Sequence, residues 1–152
     1  MSTEFLIRRA AREDVGAILA LLADDDLRKL KEASVTSRHL TAFDGISRDS
    51  NQYLAVAQLG GVTVGCLQLT FIPGLSRNGM ERCQIEGVRI ARHLRGKGLG
   101  KQMLQWAIAT CRDRGCGLVQ LFMDKKRLDA HRFYESLGFK ANHQGFRLYL
   151  QE

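Results

Sequence analysis

Proline and tryptophan each occur once in 152 residues, as Pro73 and Trp106, and cysteine only four times. With no Pro- or Ser-rich tract there is no linker to divide two domains, so residues 1–152 read as a single domain around one core. Cys66, Cys83, Cys111 and Cys116 form no C-x-x-C pair, and His39, His93, His131 and His143 fall in no H-x-x-x-H frame. No zinc or other metal site is therefore expected, and the thiols read as reduced and mostly buried. No apolar run approaches the roughly 18 residues of a membrane helix. The first ten residues, with Glu4, Arg8 and Arg9 around Phe5-Leu6-Ile7, lack the ordered regions of a signal peptide. A cytoplasmic location without a membrane partner is the expectation.

What the sequence has in excess is positive charge, 23 Lys and Arg against 16 Asp and Glu, a net +7. An anionic partner follows, and composition alone does not separate nucleic acid from a phosphorylated small molecule.

Hydrophobic periodicity predicts a strand over residues 5–10 and a helix over 12–22, with Val15, Ile18, Leu19 and Leu22 on one face and Asp24-Asp25-Asp26 at its end. Residues 27–47 keep only a loose helical period and read as one or two helices bordering a mobile segment. Residues 52–59 and 62–71 are β-rich and meet at Gly60-Gly61, the signature of a hairpin. After a loop over 72–80, residues 82–90 read as a strand in which Gly87 marks a bulge or a close backbone approach. From 98 to 114, Leu99, Met103, Trp106, Ala107, Thr110 and Cys111 share one helical face, and Gly115 is the stop. A strand over 118–123, a helix over 129–137 and a final strand or hairpin over 140–150 complete the order. An antiparallel meander that passes into a β-α-β crossover gives an α/β (α+β) fold, a mixed and mostly antiparallel sheet with helices on its faces.

Arg95-Gly96-Lys97-Gly98-Leu99-Gly100-Lys101 lies between a predicted strand and a predicted helix. Its unpaired N–H groups point outward at the positive end of the helix dipole, which makes an anion site. The glycine spacing is G-x-G-x-G, so it is no Rossmann fingerprint, and Arg95 and Gln102 stand where a Walker A loop needs glycine and a hydroxyl.

The stretch does resemble the Gln/Arg-x-x-Gly-x-Gly/Ala pyrophosphate loop of the GNAT family of N-acetyltransferases, through Arg95, Gly98 and Gly100. Downstream, Ala130-His131-Arg132-Phe133-Tyr134-Glu135-Ser136-Leu137-Gly138-Phe139 is similar to the family's later motif A-x-x-[LF]-Y-x-x-x-G-F. The resemblance spans nearly the whole chain and is weakest over residues 27–47. It implies the GNAT acyl-CoA fold, with a splayed pair of strands and acetyl-CoA as cosubstrate without a metal. It further implies that the backbone of Val88, Arg89 and Ile90 lies along the pantetheine arm, that the amides of Arg95, Gly96, Lys97, Gly98, Leu99, Gly100 and Lys101 hold the pyrophosphate, and that Tyr134 stands near the sulfur. Members often carry Asn where this chain has Arg127, which with Lys125 and Lys126 can face the 3′-phosphate.

Direct acetyl transfer to an amine needs a base for the amine proton, a donor to the developing oxyanion and a proton for the leaving thiolate. Glu86, on the strand leading into the loop, is the candidate base, with partial burial expected to raise its pKa. Tyr134 is the candidate proton donor, and a backbone N–H between Val88 and Ile90 the oxyanion donor. His131 reads as a solvated helix residue, and Trp106 and the cysteines as packing. The alternatives to an N-acetyltransferase are a silent acyl-CoA-binding module and a nucleic-acid-binding domain, although much of the basic charge clusters at the loop and no nucleic-acid partner is expected. Asp24, Asp25, Asp26 and Glu32 point to a cationic amine acceptor, of a small molecule or a protein, and a homodimer is the expected assembly.

Overall fold

A five-stranded sheet in the order β1-β2-β3-β4-β5 organises the chain. The computed structural model describes residues 4–24 and 34–151. Strands β1 (Phe5–Arg9), β2 (Gln52–Leu59), β3 (Val62–Ile72) and β4 (Arg82–Ile90) form the antiparallel meander, and β5 (Leu118–Leu121) lies parallel to β4. Gly60 and Gly61, at φ 58° and 80°, form the tight turn of the β2–β3 hairpin, where two consecutive left-handed residues match the twist of the strands.

Side chains alternate across the two inner strands, as the period of two requires. Ala55, Ala57, Leu67 and Leu69 face one core, together with Met103, Leu104, Ala107 and Cys111 of helix α4 (Leu99–Arg114). Val56 and Cys66 face the other, against Val15 and Ile18 of α1 (Val15–Ala23) and Phe43 of α2 (Ser37–Arg48). Both faces of the central strands are thus dry, which explains why they read as nearly unbroken apolar runs.

Residues 12–14, read as the start of the first helix, form a 3-10 turn before α1. Asp14 is the reason. Its carboxylate accepts the N–H of Ala11 at 2.6 Å and two bonds from the Arg8 guanidinium at 2.7 and 3.0 Å. The Arg8 bonds hold its pKa below the ordinary carboxylate range, although the residue is only 8% exposed and burial works the other way. The helix so started ends at Asp24, while Asp25, Asp26 and Glu32 lie outside the described residues. A single turn, α3 (Ser76–Gly79), carries Arg77 and Asn78 in left-handed conformations ahead of β4.

Two expected strands come out differently. The one placed over 118–123 stops at Leu121, because its register with β4 ends at Ile85 opposite Leu121. The final strand over 140–150 does not form. After α5 (Leu128–Ser136), residues 140–151 hold no regular structure and make no main-chain hydrogen bond with the described residues. An apolar alternation supplies one face of a strand, and only a neighbouring edge turns it into one.

Candidate active site

The site begins where the sheet opens. Strand β4 pairs with β5 only over Arg82–Ile85, so from Glu86 to Ile90 its β5-side edge is covered by no strand among the described residues. On its other side the register with β3 slips between Cys66 and Gln68, and Gly87, at φ 62°, is the bulge that the slip needs. Gly65 permits a close approach there, since a Cβ on it would fall 2.9 Å from Ile90 Cδ1 and Met103 Sδ and 3.0 Å from the Arg89 carbonyl.

Past Ile90, a 3-10 turn (Arg92–Leu94) leads into the glycine loop and α4. Gly98 is its N-cap at φ 83°, and Gly96 lies at φ 78°, with nothing within 4 Å of a Cβ built on either. Among the described residues, the main-chain N–H groups of residues 96–101 donate to no main-chain acceptor. Six adjacent donors at a helix N-terminus are a cradle for a pyrophosphate. A cavity of about 330 Å³ opens beside them, lined by Ile90, Leu94, Arg95, Gly96, Gly98, Gly100, Lys101 and Phe133. The residues present therefore fit an acyl-CoA: an open loop for phosphates, an apolar wall and a bare strand edge.

The Arg95 side chain is used structurally. It donates to the Ile90 carbonyl at 3.2 Å and to the Asp24 carbonyl at 3.4 Å, and lies 3.8 Å from the Asp24 carboxylate. Asp24 also accepts Arg92 at 2.6 Å. Its charge is thereby matched by two arginines, which removes Asp24 from the acidic group expected to attract a cationic acceptor.

Tyr134 stands on α5, half-buried between Phe133 and Phe139, with ring centroids 5.2 and 5.8 Å away in edge-on contact. Burial pushes its hydroxyl pKa up, against the opposing pull of the positive Arg89 and Arg127. It thus stays protonated through the neutral range, the state a proton donor needs. Val88, Arg89 and Ile90 lie on β4 beyond the end of its pairing with β5. The surprise is the Arg89 side chain, whose charge reaches Tyr134. Phe133 is also a wall of the cavity.

Glu86 departs from expectation. It is exposed and accepts a hydrogen bond from Gln84 at 2.7 Å. β5 ends opposite Ile85, so no strand covers Glu86 and the expected partial burial is absent. All four cysteines are free thiols, and Cys66, Cys83 and Cys111 are buried in the core. Burial pushes Cys66 up to about 12 and Cys116 up to about 11, and Cys83 is pushed up by its hydrogen bond to Cys111, so none of these three is a thiolate nucleophile at neutral pH. His131 makes a 2.7 Å contact with Glu135 one turn along α5, and Trp106 packs edge-on to Tyr53 at 5.3 Å.

The profile of the Acetyltransferase (GNAT) family matches residues 8–139, from the first strand to the end of the Tyr134 motif. The chain belongs to the GNAT family. GNAT relatives with assigned activities are N-acetyltransferases. An aminoalkylphosphonate N-acetyltransferase of Salmonella typhimurium is 29% identical over 140 residues, covering 92% of this chain and 88% of that one. A glucosamine 6-phosphate N-acetyltransferase of Trypanosoma brucei brucei is 31% identical over 145 residues, with 84% and 97% covered. Among solved structures, one described as a transcriptional regulator from Bacillus halodurans C-125 superposes with a TM-score of 0.91 at 42% identity, covering 97% of this chain and all of that one. Fold, family and relatives agree on a GNAT N-acetyltransferase, and the splayed β4–β5 pair is the feature of the fold that opens the site.

Proposed function

We propose that this GNAT enzyme moves an acetyl group from acetyl-CoA to the primary amine of a small molecule carrying a phosphate or phosphonate, as a homodimer in the cytoplasm. The observation that carries the cosubstrate is the run of open amides at residues 96–101 beside the bare edge of β4. The acceptor class is supported by the phosphonate and phosphate in the descriptions of two relatives and by the net +7 charge.

In this reading, the amides of Gly96, Lys97, Gly98, Leu99, Gly100 and Lys101 hold the pyrophosphate, with Lys97 and Lys101 at the rim; the Arg95 N–H, expected among them, instead donates to the Arg92 carbonyl at 3.3 Å and closes the preceding turn. The edge of Val88, Arg89 and Ile90 aligns the pantetheine arm, and one of its N–H groups faces the carbonyl oxygen as that oxygen gains charge. Bound acetyl-CoA supplies the activated acyl group. An alkylamine, pKa about 10.4, enters protonated, and Glu86 takes its proton directly or through water. The amine lone pair then forms the bond to the acyl carbon while the carbon–sulfur bond breaks, Tyr134 gives the departing sulfur its proton, and the second proton of the nitrogen passes through water to restore the tyrosine. Arg127, expected at the cofactor's 3′-phosphate, instead adds positive charge within electrostatic reach of Tyr134.

The test is thiol release from acetyl-CoA with a panel of amines. A 1-aminoalkylphosphonate or an amino-sugar phosphate should support turnover at least tenfold faster than the same amine without its phosphorus group. Equal rates would remove the anionic-acceptor assignment. The regulator description of the Bacillus halodurans relative favours a second reading, an acyl-CoA-binding module without turnover. Micromolar acetyl-CoA binding by calorimetry with no thiol release from any amine would select it.

A further inference from the structure

On the face of the sheet opposite α4, strand β4 presents Arg82, Gln84 and Glu86 in alternation with Cys83 and Ile85, which are buried in the core against α4. Gln120 of β5 stands opposite Gln84 in the parallel register, on a strand about 4.8 Å away. These side chains are joined end to end. Arg82 Nη1 donates to Gln120 Oε1 at 3.3 Å, Gln120 Nε2 donates to Gln84 Oε1 at 2.9 Å, and Gln84 Nε2 donates to Glu86 Oε1 at 2.7 Å. The last bond is the shortest, as befits a charged acceptor.

The direction of this chain of bonds is set by its ends. A guanidinium can only donate and an ionised carboxylate can only accept, so each glutamine between them turns its oxygen toward Arg82 and its NH2 toward Glu86. The aligned amide dipoles carry the positive charge of Arg82 toward the carboxylate. Gln68 of β3 faces Glu86 in the antiparallel register on the other side. Its NH2 goes instead to Gln52 Oε1 at 2.8 Å, an acceptor it shares with the Thr70 hydroxyl at 3.0 Å. Among the described residues, the hydrogen bond that reaches Glu86 is therefore the one from Gln84, and Oε2 takes none.

We propose that Arg82, Gln120 and Gln84 are positioning residues for Glu86, which anchor Oε1 and so leave Oε2 aimed at the acceptor amine. Their role rests on Glu86 being the base of the reaction proposed above. An exposed glutamate left to itself samples many rotamers, and a base works only within hydrogen-bond reach of the proton it takes. Anchoring one oxygen confines the carboxylate to an arc about that bond. The ladder is also placed for the task. It spans the stretch where β4 and β5 are still paired and ends at Glu86, the first residue past the pairing. A rigid two-stranded platform thus holds a reactive group at the lip of the opening.

The experiment uses the whole chain and, as acceptor, the amine of the panel above that the parent acetylates fastest. Gln120→Glu keeps an acceptor for Arg82 but has no N–H to give Gln84. Its kcat/KM should fall about tenfold, with acetyl-CoA affinity within about twofold of the parent's. The urea midpoint should hold or rise, because an ion pair with Arg82 replaces a neutral contact. Parental activity in this variant would overturn the proposal. Gln84→Met should lose as much in the parent but nothing further in Glu86→Gln, since both act through one carboxylate. Equal losses in the two backgrounds would make Gln84 merely structural and overturn it as well. Parental turnover by Glu86→Gln would remove the base and the ladder's role together, whereas a loss there without one in the glutamine variants strikes the ladder alone. If no amine of the panel releases thiol, side-chain amide resonances of isotope-labelled protein decide. Glu86→Gln should shift those of both Gln84 and Gln120, although only Gln84 bonds to Glu86, and an unmoved Gln120 would mean that no connected ladder exists.

Discussion

At the scale of single residues, the site depends on backbone freedom as much as on functional groups. Gly98 caps α4 in a left-handed conformation, with open space where a side chain would go. Gly98→Glu fills that space with strain and negative charge, and acetyl-CoA affinity measured by calorimetry should fall at least tenfold, about 1.4 kcal/mol. Tyr134 is held protonated by burial. Tyr134→Phe keeps the ring contacts and removes the proton, so kcat should drop at least tenfold while acetyl-CoA affinity stays within twofold; an unchanged kcat would make Tyr134 a packing residue only. Glu86 is exposed, and water can stand in for it. For Glu86→Gln the expected loss is about 10²-fold, concentrated below the pKa of the acceptor amine, and a pH–rate profile matching the parent's would exclude a base role.

At the scale of elements, Asp14 joins β1 to α1 through Arg8 and the Ala11 N–H. Replacing it with Asn weakens charge-assisted bonds at a nearly buried position, and about 1–3 kcal/mol of stability should be lost at pH 7. Because the folded-state pKa of Asp14 is lowered, its contribution is present above the unfolded value near 3.9 and disappears as pH falls through the folded value. Urea midpoints of parent and Asp14→Asn should therefore differ at pH 7 and converge toward pH 3. The pair belongs to the face opposite α4, so acetyl-CoA affinity of the folded variant should not change. The β4 bulge is the other element-scale device. Gly87 displaces the register with β3 while the β4–β5 ladder ends at Ile85, and together these leave the bare edge on which the pantetheine arm is proposed to lie.

At the scale of the whole molecule, a net +7 and a basic loop face a cosubstrate with about four negative charges. The screening length falls from about 10 Å at 0.1 M salt to about 3 Å at 1 M, so raising NaCl from 0.05 to 0.5 M should raise KM for acetyl-CoA about threefold or more. A salt-independent KM would assign the binding to short-range amide contacts. The hairpin at Gly60-Gly61, strand β4 and helix α4 were legible in the sequence because turn chemistry and periodicity are local, and the loop and the Tyr134 motif because each is contiguous. The ends of β5, the exposure of Glu86, the effect of the Arg89 charge on Tyr134 and the binding of Asp24 by Arg92 and Arg95 were not, because each depends on which distant segment lies alongside. The sequence by itself thus determined the order of the strands from β1 to β5 and of the helices that flank them, the glycine loop before α4 and the family that they spell. Only the tertiary structure decided where the sheet parts, which acidic group is already matched, and that residues 140–150 form no strand, since strand pairing and solvent exposure are properties of neighbours and not of residues.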